Sequence, residues 1–256
     1  MQAIVERSGK RFVVSELANE LGVGWAMTTR DLAYDSEDGD TAVKSLSERA
    51  TRALDISEMR FVSGRQVHGS GIFVSGRGGA AAASGRFLRV PETDGLATNS
   101  PMEVLGILTA DCSSVALIPK GTDFIGIAHS GWRSTASNIA PKLVRTLTDL
   151  SGVGASDMSA IIGPMILGDC YEVGMEVVDT LGKACGGAFA VPGRPGAEGK
   201  FILDLPGYIK LQLLAQGIIE KNIEMPSLCT ACREDLFFSW RRSADKSRMV
   251  TLLWRQ

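Results

Sequence analysis

Short runs of β-branched and aromatic residues, bounded by glycine or polar residues, recur along this 256-residue chain and are typical of β-strands. Each run is too short for a helix of ordinary length. Polar residues 120–123 separate two of the runs, which predicts a β-hairpin. The runs lie at residues 71–74, 104–108, 114–118, 124–128, 159–162, 236–240 and 249–253.

Other segments follow the helical period, because their apolar residues return to one face every three or four positions. These positions are Val43, Leu46, Ala50 and Leu54; Ile139, Leu143, Val144, Leu147 and Leu150; and Val173, Val177, Val178 and Leu181. Asp204 and Pro206 predict the start of a further helix, and Gly217 its end. Hairpins mixed with strand–helix alternation predict an α+β fold with a mixed sheet.

Two glycine-rich segments, residues 76–85 and 191–199, interrupt this pattern and are predicted to be surface loops. Apolar segments resume directly on both sides of each, so neither indicates a domain boundary. The length suits one large domain at roughly 100–200 residues per domain. We therefore predict a single domain over residues 1–256.

Composition excludes several classes of protein. The 27 Lys and Arg residues nearly balance 29 Asp and Glu residues, and the absence of a basic block argues against a nucleic-acid partner. No apolar stretch is long enough for a membrane span, and the N-terminus lacks the apolar core of a secretory signal. Five cysteines, an odd count, favour a reducing compartment over a disulfide framework. We predict a cytoplasmic protein, and the sequence leaves its oligomeric state open.

The chain has two histidines, and both lie beside glycine-containing turns. His68 is followed directly by Gly69, and His129 closes an apolar run two residues before Gly131. A side chain at such a junction is well placed to point into a cleft. The alternative is a structural histidine that donates to backbone carbonyl groups.

Cys112 lies at a third junction, between two predicted strands. Imidazole and thiolate are the ligands that zinc prefers, and catalytic zinc commonly uses three protein ligands. His68, Cys112 and His129 could supply that set, although their spacing forms no short-range metal motif. Cys229 and Cys232 form a CxxC without a second pair or nearby histidine, and we interpret them as ordinary thiols.

Six motifs, taken together and in this order, resemble the YfiH-type family, whose members are called laccase-domain proteins, polyphenol oxidases or purine nucleoside phosphorylases. The resemblance runs from about Trp25 to the C-terminus. The motifs are RQVHG at 65–69, LTADC at 108–112, AHSGWR at 128–133, IGP at 162–164 with CYEV at 170–173, CT at 229–230 and FFSWRR at 237–242.

The resemblance implies a four-layer α/β/β/α sandwich and a catalytic zinc ion held by His68, Cys112 and His129. It also implies purine nucleosides and phosphate as substrates: phosphorolysis of adenosine, inosine, guanosine and methylthioadenosine, with adenosine deamination as well. The chain departs from the family at residues 31–36, which puts Arg30 in doubt as a substrate contact. No departure removes a predicted metal ligand.

Further catalytic residues are predicted from the chemistry. Deamination needs a carboxylate to move protons, and the chain lacks the H-x-E and P-C-x-x-C signatures of zinc deaminases, so Asp111 and Glu172 are the candidates. The alternatives are a turn-capping role for Asp111 and a helix-start role for Glu172. Phosphorolysis needs an anion site, for which Arg133, just before the helix at Ile139, is the candidate. A surface ion pair is the alternative for Arg133.

Three residues are candidate substrate contacts. Arg65 and Arg30 could assist phosphate binding. Gln66 could donate to a purine or ribose, or it could stabilise a turn.

Three other functions remain open. Cys112 could be a nucleophile activated by His129 in an amide hydrolase. The resemblance to the YfiH-type family implies that such a hydrolase would edit peptidoglycan precursors. The same trio could hold copper in an oxidoreductase, although two histidines are too few for a trinuclear copper centre. A structural zinc site would need a fourth ligand, for which Cys170 is the candidate.

Overall fold

The structure is a computed structural model that describes residues 1–33, 39–76, 85–244 and 246–256. The helices are α1 (Glu16–Glu20), α2 (Asp40–Ala53), α3 (Trp132–Ala136), α4 (Ile139–Ser151), α5 (Met175–Ala184), α6 (Leu205–Ala215) and α7 (Trp240–Ser243). The strands are β1 (Gln2–Arg7), β2 (Lys10–Ser15), β3 (Val23–Thr28), β4 (Arg60–Gly64), β5 (Ile72–Val74), β6 (Phe87–Val90), β7 (Gly95–Thr98), β8 (Glu103–Thr109), β9 (Ser113–Pro119), β10 (Ile125–Ser130), β11 (Met158–Ile162), β12 (Glu172–Gly174), β13 (Gly193–Pro195), β14 (Lys200–Leu203), β15 (Ile223–Glu224) and β16 (Met249–Arg255).

These strands form two large mixed sheets and a small one. The first sheet has the order β1-β2-β3-β16-β8-β4-β6, and β4 runs parallel to both of its neighbours. The second sheet has the order β15-β11-β9-β10-β7-β5, with parallel pairs at its two edges. The small sheet has the order β12-β14-β13.

The two large sheets pack face to face, because alternate residues of each strand point to opposite faces. Trp25 and Ile107 of the first sheet share a buried core with Ile127 of the second. The opposite face of the first sheet packs against Leu46 of α2, and that of the second sheet packs against Leu143 of α4. The layers are therefore helix, sheet, sheet and helix, so the predicted four-layer α/β/β/α architecture is confirmed.

Most predicted elements are present within a few residues of their expected bounds. The hairpin is the antiparallel pair β9–β10, and α2, α4 and α6 occur at the predicted segments. The side chain of Asp204 accepts from the Gly207 N–H at the start of α6, as its N-cap position predicted. The third predicted helix starts later than expected, because Val173 belongs to β12 and α5 begins at Met175.

Two predictions of secondary structure are wrong. The apolar run at 236–240 is a turn and coil followed by α7, because its backbone meets partners outside any strand: the carbonyl of Leu236 accepts from Arg30 N–H, and Phe238 N–H donates to the Met249 sulfur. The predicted loop at 191–199 contains the short edge strand β13. Residues 77–84 of the other glycine-rich segment, and residues 34–38, lie outside the described ranges.

Across the described ranges, every helix falls short of the length and apolar character that crossing a bilayer requires. The single domain over residues 1–256 stays a prediction.

Candidate metal centre

The predicted trio meets at one end of the two sheets. His129 lies near the end of β10, Cys112 lies in the turn that joins β8 to β9, and His68 lies in the loop after β4. One ligand atom from each residue lies within 4.8 Å of those of the other two. The imidazole rings are arranged edge to face, with their centroids 4.8 Å apart. The three residues therefore form a candidate metal site.

Asp94, at the residue before β7, organises both histidines and was missed by the sequence analysis. Its fully buried carboxylate accepts from the backbone N–H groups of Val67, His68 and Gly69, each at 3.0 Å. It also lies 2.9 Å from Nδ1 of His129. The three N–H bonds hold the loop in which His68 has a left-handed φ of 58°. The contact with Nδ1 leaves Nε2 of His129 as the nitrogen available to a metal.

The electrostatics of this cluster favour the thiolate form of Cys112. Burial alone would raise the pKa of Asp94, but the hydrogen bonds from His129, Val67 and Gly69 hold that pKa below its ordinary value. Burial likewise opposes ionisation of the Cys112 thiol, and the adjacent His129 and His68 outweigh it and lower the pKa of Cys112. Cys112 and Asp94 in turn raise the pKa of His129 against the effect of burial. Cys112 is therefore readily ionised, and the thiolate is the form that binds metals.

The donor set and its surroundings fit a zinc ion. Two imidazoles and one thiolate match the ligand types of catalytic zinc sites, which use three protein ligands and keep a fourth position for water or substrate. A Cβ atom at Gly131 would lie 2.5 Å from the Cys112 sulfur, so the absence of a side chain there leaves room for that sulfur. The buried carboxylate behind His129 is the partner that metal-bound histidines commonly have.

A cavity of about 580 Å³ opens beside the trio, within the range of small-molecule sites. Four arginines line it: Arg89, Arg133, Arg241 and Arg248. Three aromatic side chains line it as well: Trp132, Tyr171 and Trp240. The cavity therefore combines metal donors with cationic groups that suit an anion and flat rings that suit a planar base.

Arg133 and Gln66 are predicted residues that the structure places in the cavity lining. The Arg133 guanidinium stacks over the Trp132 ring at 4.3 Å, and among the described residues it has no hydrogen-bond or ion-pair partner. It belongs to the short helix α3, whereas α4 begins only at Ile139, after Asn138 in a left-handed conformation.

Gln66 exchanges two hydrogen bonds with the backbone of Leu108, so its side-chain amide continues the hydrogen bonding along the edge of β8.

Asp111 also lines the cavity, directly before Cys112. Its carboxylate accepts from the hydroxyl groups of Thr230 at 2.7 Å and Ser239 at 3.0 Å and from the Arg241 N–H at 2.7 Å. With a φ of 83°, its backbone is in the left-handed region that favours glycine. These contacts tie the Cys112 turn to the C-terminal segment. The catalytic role of Asp111 stays a prediction.

Three other predicted residues lie outside the cavity lining. Arg65 pairs with Asp40 at 2.5 Å on the surface. Arg30 donates to the carbonyl of Glu234. Glu172 lies in β12, ahead of α5, and its carboxylate accepts from the N–H of Ala197 at 3.4 Å. The structure thus gives each of them a local partner, and their catalytic or binding roles stay predictions.

Cys170, the candidate fourth ligand, is not part of this trio. Its sulfur lies 3.3 Å from that of Cys232.

The sequence analysis did not identify three of the cavity arginines. Of these, Arg241 lies inside the FFSWRR motif, which could have identified it. Arg89 and Arg248 carry no sequence pattern that singles them out.

The chain is similar to several known proteins. Residues 21–256 match a family model described as multi-copper polyphenol oxidoreductase laccase. The chain is 34% identical over 223 residues to the purine nucleoside phosphorylase YlmD of Geobacillus stearothermophilus, covering 86% of this chain and 81% of that protein. It is 31% identical over 224 residues to adenosine deaminase RL5 from an unknown prokaryotic organism, covering 85% of this chain and 84% of that protein. The crystal structure of YlmD from Geobacillus stearothermophilus superposes over the whole of both chains, with a TM-score of 0.86 and 29% identity.

Proposed function

Because the chain belongs to the family described as multi-copper polyphenol oxidoreductase laccase, whose relatives include proteins named for nucleoside chemistry, we propose that it is a zinc-dependent purine nucleoside phosphorylase. In this proposal His68, Cys112 and His129 hold the zinc ion. Purine nucleosides and phosphate are the substrates, methylthioadenosine among them, and the reaction takes place in the cytoplasm. Adenosine deamination is the second activity of the same site.

One observation carries the proposal: Arg133 faces the cavity beside the metal trio without an anionic partner among the described residues. A guanidinium group binds phosphate through two parallel hydrogen bonds, and a cavity with low-dielectric walls strengthens that attraction. Arg241 lines the same cavity, with its guanidinium 5.4 Å from the centre of the Tyr171 ring. The two arginines thus supply positive charge on the side of the cavity where Trp132 and Tyr171 can contact a base.

In phosphorolysis, a phosphate oxygen forms a bond to C1′ of the ribose, the bond from C1′ to the purine nitrogen breaks, and the purine takes the electron pair and then a proton. Arg133 would hold the phosphate and Trp132, Tyr171 or Trp240 would stack against the purine. A bound zinc ion would supply a Lewis acid that polarises a substrate oxygen.

Deamination takes second place because of the carboxylate it requires. Asp111 is the one carboxylate residue in the cavity lining among the residues the structure describes. Its two oxygens already accept three hydrogen bonds, which makes proton transfer through them less favourable. The relative named adenosine deaminase RL5 supports keeping this activity in the proposal.

The test is incubation of the purified protein with inosine and with adenosine, each with and without phosphate. The expected products are free purine and ribose 1-phosphate, formed only when phosphate is present, together with slower release of ammonia from adenosine. Release of free ribose without phosphate, or ammonia as the only product, would contradict phosphorolysis.

The role of Arg133 has its own test. Arg133→Ala should raise the KM for phosphate by about tenfold or more, since a charge-assisted pair contributes roughly 1.5–3 kcal/mol. Arg145→Ala is the matched control, because Arg145 is exposed on α4 and contacts Gln216 outside the cavity. An unchanged KM for phosphate in Arg133→Ala would refute the phosphate-binding role.

A further inference from the structure

A second cluster of sulfur atoms lies on loops near the cavity. The sulfur atoms of Cys170, Cys229 and Cys232 all lie within 4.8 Å of one another, and those of Cys170 and Cys232 are 3.3 Å apart. All three cysteines are free thiols. They come from two segments, with Cys170 and Cys232 separated by 62 residues in the sequence. The fold therefore gathers three soft donors that the sequence leaves apart.

The backbone around this thiol cluster is fixed from both sides. Cys229 forms a parallel bridge with Met165, and its sulfur accepts from the N–H of Leu167 at 3.3 Å. Cys229 and Cys232 lie in one turn, closed by the Arg233 N–H that donates to the Cys229 carbonyl. Such N–H to sulfur contacts stabilise a thiolate, as hydrogen bonds to a charged form do.

Two consecutive arginines of α7 fasten the two segments. Arg241 donates to the carbonyl of Cys170 at 3.2 Å. Arg242 donates to the carbonyls of Thr230 at 3.1 Å and Ala231 at 2.9 Å, the two residues between Cys229 and Cys232. Both guanidinium groups bring positive charge to a place where three thiolates would otherwise repel one another.

From this geometry we infer that Cys170, Cys229 and Cys232 form a second metal site, which binds a thiophilic ion such as Zn²⁺ independently of the His–Cys–His trio. Zinc–sulfur bonds of about 2.3 Å in tetrahedral geometry place the sulfur atoms about 3.8 Å apart. The observed 3.3 Å contact and the 4.8 Å limit bracket that separation, so small side-chain rotations suffice. Cys232 is exposed, which leaves the fourth position to water.

The site has a structural consequence for the cavity. Thr230, inside the CxxC turn, donates to Asp111 at 2.7 Å, and the Ile166 N–H donates to the Asp111 carbonyl at 3.0 Å. Tyr171, next to Cys170, lines the cavity. An ion held by the thiol cluster would therefore tie together the segments that form this wall. The inference stands without the proposed function, because it concerns metal binding alone.

The test is metal stoichiometry of the full-length protein, stripped with a chelator under reducing conditions, reloaded with Zn²⁺ and passed through gel filtration. Wild type should retain two zinc ions per chain. The double variant Cys170→Ser/Cys232→Ser should retain one, and so should His68→Ala/His129→Ala. In the histidine variant, Cd²⁺ should still give the ultraviolet charge-transfer band of a thiolate-bound ion.

Cys185→Ser is the matched control, since Cys185 donates to the carbonyls of Gly182 and Phe189 and lies outside both groups. It should retain two ions. If the double variant fails to fold, the single variant Cys232→Ser replaces it in the test, because Cys232 is exposed and its substitution should leave the fold intact. Equal zinc content in wild type and in Cys170→Ser/Cys232→Ser, or a Cys170–Cys232 disulfide in freshly reduced, air-free protein, would each overturn the inference.

Discussion

The metal trio and the thiol cluster differ in how their ligands are held. The trio lies at or beside the ends of buried strands, and the fully buried carboxylate of Asp94 contacts the segments that carry His68 and His129. The thiol cluster lies on turns whose carbonyl groups are fastened by Arg241 and Arg242. The trio is thus positioned before any ion arrives, as a reactive centre requires. The thiol cluster is held through the backbone of its turns, and one of its sulfur donors, that of Cys232, is exposed.

The largest effect should come from removing a ligand of the trio. His68→Ala, Cys112→Ser and His129→Ala should each abolish turnover of purine nucleosides and lower the zinc content by one ion per chain, because two protein ligands hold zinc poorly. Metal analysis and product assays check this. Full activity in any of the three would reject the assignment of the trio.

Asp94→Asn should have the next largest effect, because the amide cannot accept from all three backbone N–H groups and from His129. We expect a loss of zinc affinity at the trio of about 10–100-fold. The free energy of unfolding should also fall by about 1–3 kcal/mol, since buried N–H groups lose their acceptor. Zinc titration and urea denaturation measure the two effects. Unchanged zinc affinity would show that Asp94 does not position the trio.

Gly131→Ala should have a smaller effect, confined to the trio. The new Cβ would lie 2.5 Å from the Cys112 sulfur and would displace it. Zinc affinity should fall by less than in Asp94→Asn, while the number of ions at the thiol cluster stays the same. Gly154→Ala is the control, because the nearest atom to its Cβ lies 3.9 Å away. Equal zinc affinity in both variants would contradict the close fit at Gly131.

The smallest effect should come from Arg242→Lys at the thiol cluster. A single ammonium group cannot reach the carbonyls of Thr230, Ala231 and Phe237 together. The free energy of unfolding should fall by about 1 kcal/mol, and the Thr230 amide should exchange its hydrogen faster. Zinc affinity at the trio should not change, and hydrogen exchange with zinc titration checks both points. A matching loss of zinc affinity at the trio would show that the two sites are not independent.

Much of the trio could be predicted from the sequence, because imidazole and thiolate are rare enough here to be conspicuous. Asp94 could not, since a Thr-Asp-Gly segment reads as a surface turn and its carboxylate is in fact fully buried. Leu236, Phe237 and Phe238 were predicted in a strand because they are apolar; they are buried, but in a coil. The apolar pattern of this segment correctly indicates that its side chains are buried. Whether its backbone pairs with a strand depends on residues that are distant in the sequence.

The sequence by itself determined the strands and helices with a clear period, the hairpin β9–β10, and the residue types able to hold a metal. Period and ligand chemistry are local properties, so neighbouring residues suffice to reveal them. Only the tertiary structure decided that Asp94 faces both histidines and that Cys170 joins Cys229 and Cys232 and not Cys112. It also decided that Arg133 lines the cavity without an anionic partner among the described residues. Each of these depends on contacts between segments that only the packing of two sheets brings together.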